Sequence, residues 1–264
     1  MTFTYDQPDA TYRALPGLSG TEVAKVLDSP AELKWARENR TAGTSAMALG
    51  TLTHALVLGQ PVTAIVSPFD SFRTKDAQTW KAEQVNAGLT VVTQEDWDKA
   101  AHMAAAVKEH SVAGVILAAP GHSEVTVTGE HKGAPLKGRI DRLPNAGPLV
   151  DFKIGVDVTS DGMSRAMGKY GYATQLAHYA LLADRLDPPV IIAARNNGRP
   201  TVAVYRIGEL TWHVALEATK RAWDIYAECM ASSNWPDPYA TGIHELDLRP
   251  WALDALEDIE EMEF

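Results

Sequence analysis

Cysteine is nearly absent from this chain, with Cys229 the single one in 264 residues. That excludes an internal disulfide framework, a four-cysteine zinc site and a cysteine-held iron–sulfur cluster. No apolar run approaches the length of a membrane span. The opening Met-Thr-Phe-Thr-Tyr-Asp lacks the basic and apolar regions of a signal peptide, so a cytoplasmic location is expected. There is no Gly-x-x-x-x-Gly-Lys-Ser/Thr phosphate loop, so any motor would be another chain. Internal repeats and long low-complexity linkers are missing too. So is an excess of base: the net charge is −10. This argues against wrapping nucleic acid with the whole surface, but it leaves room for a local basic cleft. The acids concentrate at the end, where Asp254, Glu257, Asp258, Glu260, Glu261 and Glu263 stand without a base among them. What is present, 45% hydrophobic and 22% charged residues, is the composition of a soluble globular protein. The length suits one large α/β domain or two small ones. The organisation expected is one domain over 1–250 with an acidic tail over 251–264.

Start signals place the helices. Ser19 with Glu22 three residues on is a capping-box pattern, so a helix begins near Gly20. Ser29-Pro30 starts the next, because proline suits a first helical position. That helix carries Lys34, Trp35, Arg37 and Arg40. Ser45–Leu58 reads as a mostly buried helix with His54 in its apolar middle. Further helices are expected over 75–86, 94–110, 160–169, 172–186 and 209–231. Strands are expected over 62–66, 123–128, 190–194 and 202–207, the last two around the turn Asn196-Asn197-Gly198. The order predicts one mixed central sheet flanked by helices, an α/β fold.

The most informative stretch is Gly138 to Lys153. Two strand-like runs flank Pro-Asn-Ala-Gly-Pro, a hairpin signal. Asp141 is on the first run, and Asp151 and Lys153 are two apart on the second. Residues i and i+2 of a strand share a face. Acids can hold a hard cation through oxygen, and a lysine can orient a water or offset charge on a phosphate. The turn length decides whether they meet. A four-residue turn, Pro144 to Gly147, pairs Asp141 with Val150 and points it away from Asp151. A five-residue loop, Pro144 to Pro148, or a bulge, pairs Asp141 with Asp151 and Arg139 with Lys153 on one face. A solvent-facing ion pair is the competing reading of this segment.

Other polar residues also admit two readings. His54 is a core histidine or a metal ligand. Gln175 and Tyr179, at i and i+4, are packing residues or a functional pair on one helix face. Glu124, on the strand before the hairpin, is a surface residue or a third carboxylate. Lys34, Arg37 and Arg40 are a solvated helix face or a phosphate-binding cluster.

Four stretches in order carry a family resemblance. They are Leu18-Ser19 with Ser29-Pro30-Ala31 and Lys34-Trp35; Gly50-Thr51-Leu52-Thr53-His54; Gly138-Arg139-Ile140-Asp141 with Asp151-Phe152-Lys153; and Tyr172 to Tyr179, which contains Gln-x-x-x-Tyr. The sequence resembles the PD-(D/E)xK nuclease superfamily and, within it, the exonuclease VIII-like phage recombination nucleases. It departs from them in having proline at 148 rather than directly before the first aspartate, and Asp151 where relatives often have Glu. The resemblance implies a restriction-endonuclease-like core with N-terminal helical additions. It implies that His54, Asp141 and Asp151 ligate Mg²⁺, with Mn²⁺ permitted by the histidine, alongside the carbonyl of Phe152 and the extra acid Glu124. Lys153 would activate the attacking water, and Gln175 and Tyr179 would position the strand or the lysine. Lys34, Arg37 and Arg139 would hold DNA phosphates, with Arg142 and Lys169 as further bases.

The activity implied is a Mg²⁺-dependent exodeoxyribonuclease on linear double-stranded DNA, 5′ to 3′, serving homologous recombination. Its expected partners are DNA ends, a single-strand annealing protein and further copies of itself in a homo-oligomer, with no membrane involved. The alternatives are a RecB-like nuclease subunit of another DNA-processing complex, or a non-catalytic DNA-end-binding module on the same fold.

Overall fold

A computed structural model describes residues 1–39 and 44–247. Arg40 and the acidic tail of 251–264 lie outside the described residues. The chain begins with β1 (Thr2–Thr4) and α1 (Asp9–Ala14), then a 3₁₀ turn (Gly20–Glu22) running into α2 (Val23–Asp28). Next come α3 (Pro30–Glu38), α4 (Ser45–Leu58), β2 (Ala64–Val66), α5 (Lys75–Asn86), β3 (Thr90–Val92), α6 (Gln94–Glu109) and α7 (Ala113–Ala118). The meander is β4 (Gly121–His131), β5 (Ala134–Pro144) and β6 (Val150–Gly155). Last are α8 (Ser160–Tyr170), α9 (Tyr172–Ala183), β7 (Val190–Arg195), β8 (Val202–Arg206) and α10 (Glu209–Ser232). Among the described residues no helix is long and apolar enough to cross a membrane.

The helix starts follow from caps. Ser29 Oγ accepts from the Glu32 N–H, Thr44 Oγ1 from Met47 and Thr93 Oγ1 from Asp96. Each satisfies a donor that the first turn leaves orphaned. The Glu22 carboxylate accepts from the Ser19 N–H at 2.9 Å, closing the capping box.

The central sheet has six strands in the order β1-β4-β5-β6-β7-β8. All pairings are antiparallel except β6–β7. The parallel pair needs a crossover, and α8 and α9 supply it. The single mixed central sheet flanked by helices is as expected, and a separate two-stranded parallel sheet joins β2 to β3. Strand alternation sorts the core onto the two faces of the central sheet. Ile191 and Ala193 join Val125, Val127, Leu136 and Ile140 under α2, α9 and α10. Val150, Phe152, Ile192 and Ala194 pack against α4, α6 and α7. In β6 this leaves Asp151 and Lys153 on the face covered by α9.

α9 is locked in place by His178, which is fully buried. Trp223 Nε1 of α10 donates to His178 Nδ1 at 2.9 Å, so His178 Nε2 carries the proton and donates to the Lys137 carbonyl at 2.9 Å. Both ring nitrogens are used, and only the neutral imidazole satisfies both bonds. Burial pulls this histidine down to about 4. Its folded value is depressed below the unfolded one near 6.5. Its stabilising contribution is therefore complete above pH 6.5 and is lost as pH falls towards 4. The full loss is on the order of 3 kcal/mol. In a melting-temperature series from pH 7 to 4, the advantage of wild type over His178→Gln should shrink as pH falls through that window.

Candidate active site

The three strands of the meander bring one acid each to one point of the sheet. Ser123 pairs with Arg142 and Val125 with Ile140, so Glu124 stands opposite Asp141. Arg142 pairs with Val150, and continuing that register sets Asp141 opposite Asp151. The connection of residues 143–149 is odd in length, as the metal-site reading required. The ladder stops there, however: Arg142–Val150 is the one registered pair between β5 and β6 among the described residues. The Phe152 N–H donates instead to Asp141 Oδ2 at 2.8 Å. The side chain takes over a ladder bond and opens the strands at the site. The expected pairing of Arg139 with Lys153 does not form, because the ladder has ended before it.

His54, from the opposite layer, sits over this gap. Its Nδ1 is 3.6 Å from Asp141 Oδ2, and its ring meets Phe152 edge-on at 5.1 Å. One ligand atom from each of His54, Glu124 and Asp141 lies within 4.8 Å of the others. Asp151 lies just beside this cluster, drawn to Lys153: its Oδ2 meets the ammonium at 2.7 Å. Its buried Oδ1 accepts no hydrogen bond. Lys153 Nζ also donates to Gln175 Oε1 at 3.2 Å and stands 4.7 Å over the Tyr172 ring. Gln175 Nε2 in turn donates to the Tyr179 hydroxyl at 3.0 Å. Asp151, Lys153, Gln175 and Tyr179 form one connected chain.

The electrostatics follow from burial and crowding. Burial first, with Lys153 second, pulls His54 down to about 4 and keeps the imidazole neutral and able to ligate. Burial first, with the neighbouring Asp141 adding, raises Glu124 to about 7. Asp151 rises to about 6, by burial first, with Asp141 adding and Lys153 opposing. Asp141 is also raised by burial, against the pull of Lys153 and the Phe152 N–H. For Lys153, burial alone would lower the pKa, but the two aspartates outweigh it and the net shift is upward. Three crowded acids with only part of their charge offset form a site short of cations. The donor set is one imidazole and carboxylates without a thiolate, and one buried carboxylate oxygen has no donor. This fits a hard divalent cation.

Not every expected contact is made. Arg37 is spent inside the fold. Its Nε and Nη2 bind Glu22 at 2.8 and 2.9 Å, and Nη2 also binds the Gly17 carbonyl at 3.0 Å. Arg142 is buried and donates to the Ala119 carbonyl. Arg139 is held by Glu124, Asp9 and the Gln7 carbonyl. All three side chains are engaged by partners within the fold. Lys34 and Lys169 are exposed.

Other features of the site had little sequence signal. A cavity of about 290 Å³ opens beside Lys153, walled by Leu49, Gly50, His54, Phe152 and Ile154, with Asn196 at its rim. The sequence marks Asn196 only as a turn residue. Gly138 matters for room rather than for flexibility: a Cβ there would lie 2.9 Å from the Tyr179 ring. Gly138→Ala is therefore expected to push Tyr179 off Gln175 and loosen Lys153. Overpacking should cost about 1–3 kcal/mol. Any turnover at this site by the folded fraction should fall on the order of 10²-fold, as misplacement of a reacting group does. Steady-state kinetics beside a thermal melt would separate the two effects.

This geometry can be set beside known proteins. No curated protein matches the sequence. The fold is similar to that of a candidate exonuclease from Eubacterium rectale, at 12% identity and a TM-score of 0.58 over 96% of this chain and 99% of that one. A phage-related exonuclease from Haemophilus somnus shares 14% identity at a TM-score of 0.35, over 83% of this chain and 96% of its own. Residues 19–243 match the family model DUF3799, described as a PDDEXK-like domain of unknown function. That span holds every strand of the meander, together with His54 and the Gln175–Tyr179 pair, and the chain belongs to this PDDEXK-like family.

Proposed function

We propose that the protein is a metal-dependent exodeoxyribonuclease that degrades linear double-stranded DNA from its ends. The observation that carries this reading is the position of Lys153, an ammonium held between Asp151 at 2.7 Å and Gln175 at 3.2 Å beside the His54, Glu124 and Asp141 cluster. His54, Glu124, Asp141 and Asp151 would hold the cation, with the Phe152 carbonyl alongside. The oxygen-rich set favours Mg²⁺, and the imidazole admits Mn²⁺. When bound, such a cation polarises a phosphoryl oxygen and lowers the pKa of a water.

The side chains supply the rest. Lys153, kept charged by its aspartates, donates to the attacking water or to a non-bridging phosphate oxygen as charge builds there. Gln175 fixes the direction of that donor, and Tyr179 fixes Gln175. Asp151 Oδ1, buried and without a donor, is the oxygen this residue has left for the cation, since Oδ2 is held by Lys153. The cavity beside Lys153 leaves space for a nucleotide unit at the reacting phosphate.

Action on ends is supported by the resemblance to exonuclease VIII-like enzymes and by the fold shared with the Eubacterium rectale protein. The 5′ to 3′ polarity, the annealing-protein partner and a ring-shaped homo-oligomer belong to the same reading. With Arg37, Arg139 and Arg142 tied internally, a ring would supply the basic surface that a net acidic chain needs to grip a duplex.

The test is degradation of linear against closed circular duplex with Mg²⁺, with Mn²⁺ and with a chelator. Loss of linear DNA alone, abolished by the chelator, is expected. Nicking of the circle would make the protein an endonuclease, and retention of both substrates with tight end binding would make it a binding module. A monomeric mass by light scattering, unchanged by DNA, would refute the ring.

A further inference from the structure

Glu124 is held differently from the other members of the cluster. His54 is packed against Phe152, and Asp141 is fixed by the Phe152 N–H. Glu124 has φ of 53° in the middle of β4, where Ser123 and Val125 on either side pair with β5 and it does not. A left-handed glutamate inside a strand is strained and persists only if its surroundings hold it there. Arg139 is the holder: its Nε lies 2.6 Å from Glu124 Oε2. The register sets Arg139 opposite Thr126, two residues on from Glu124.

The rest of the guanidinium is occupied from the N-terminal segment. Nη1 donates to Asp9 Oδ1 at 3.0 Å and Nη2 to the Gln7 carbonyl at 3.1 Å, with the Tyr12 ring 5.5 Å below. Left to itself, an arginine takes a carboxylate with two parallel hydrogen bonds and uses both oxygens. Asp9 and Gln7 prevent that here. They take the terminal nitrogens and leave Nε facing Glu124 in an ion-pair contact, in which the buried Nε makes no hydrogen bond. α1, which carries Asp9, buries none of its own residues. It is fixed instead by Lys137, whose ammonium takes the carbonyls of Tyr12, Arg13 and Leu15 at 3.4, 3.2 and 2.6 Å.

We propose that Asp9 is a positioning residue for the cation site: acting through Arg139, it holds the guanidinium's terminal nitrogens away from Glu124 and so leaves that carboxylate able to ligate. The inference rests on the reading of His54, Glu124 and Asp141 as a cation site. It makes the N-terminal segment part of the support of that site, although none of its residues belongs to the cluster. Without Asp9, the guanidinium turns to grip both Glu124 oxygens and competes with the cation.

The test is calorimetric titration of Mn²⁺ into the full chain, without DNA, for wild type, Asp9→Asn, Asp9→Glu, Glu124→Gln and the Asp9→Asn/Glu124→Gln double variant, each with a thermal melt. Asp9→Asn should weaken Mn²⁺ binding about tenfold, the lower end of what outer-sphere partners of ligands cost. Asp9→Glu should recover part of that loss. In the Glu124→Gln background Asp9→Asn should have no further effect, because the coupled residue is gone. Unchanged affinity in Asp9→Asn, or an equal loss in both backgrounds, would overturn the positioning role. If Glu124→Gln matches wild type, or wild type binds no Mn²⁺, the cation-site reading itself fails and this inference with it.

Discussion

Lys153→Met should slow cleavage of a linear duplex by at least about a thousandfold, the upper range for removing one preorganised donor to developing charge. The lysine is more than a donor. Its ammonium is the ion-pair partner of Asp151, a carboxylate only 2% exposed. Removing the cation leaves that charge buried without a partner, which costs roughly 3–5 kcal/mol. The single variant should therefore lose both turnover and melting temperature. The double variant Asp151→Asn/Lys153→Met separates these losses: with no charge left to compensate, its melting temperature should return towards wild type while cleavage stays absent. Single-turnover cleavage of an end-labelled duplex, run beside thermal melts of both variants, gives the answer. Wild-type turnover in folded Lys153→Met would end the catalytic reading of this residue.

The parts of the fold that were legible in the sequence are those written in local chemistry. Ser29-Pro30 and Thr93 fix helix starts through a hydroxyl and the nearest amide, and α3 and α6 begin where those signals stand. The meeting of the acids was legible up to a parity: alternation along β6 placed Asp151 with Lys153, and one residue more or less in the connection decided the side of Asp141. What was not legible depends on partners far along the chain. Arg37 and Arg139 look in sequence like free bases, but Glu22, Asp9 and the Gln7 carbonyl claim them through tertiary approach. The left-handed backbone of Glu124 has no local signature, since glutamate does not favour it. β1, α1, β3 and α7 were too short to show a period. Gly138 reads as part of a motif, and its cause, the Tyr179 ring, is 41 positions away.

Divalent cation should stabilise the protein more at pH 8 than at pH 5.5. Asp151 at about 6 and Glu124 at about 7 are both raised above their unfolded values near 4. The folded protein therefore binds their protons more tightly than the unfolded chain does. The associated stability is present below about pH 4 and is lost as pH rises through 6 and 7. At about 1.4 kcal/mol per pH unit, the two acids together cost the metal-free fold on the order of a few kcal/mol at pH 8. A cation bound there meets ionised carboxylates and relieves their repulsion. At pH 5.5 it must first displace their protons. His54, held near 4, is neutral at both values and does not offset the difference. His178 shifts the baseline, but it shifts it equally with and without metal. The measurement is the melting-temperature gain on adding millimolar Mg²⁺ or Mn²⁺ at each pH, with reversal by a chelator. Glu124→Gln should shrink the gain at pH 8 and narrow the gap between the two pH values. An equal gain at both, or none at either, would show that these acids do not hold the cation.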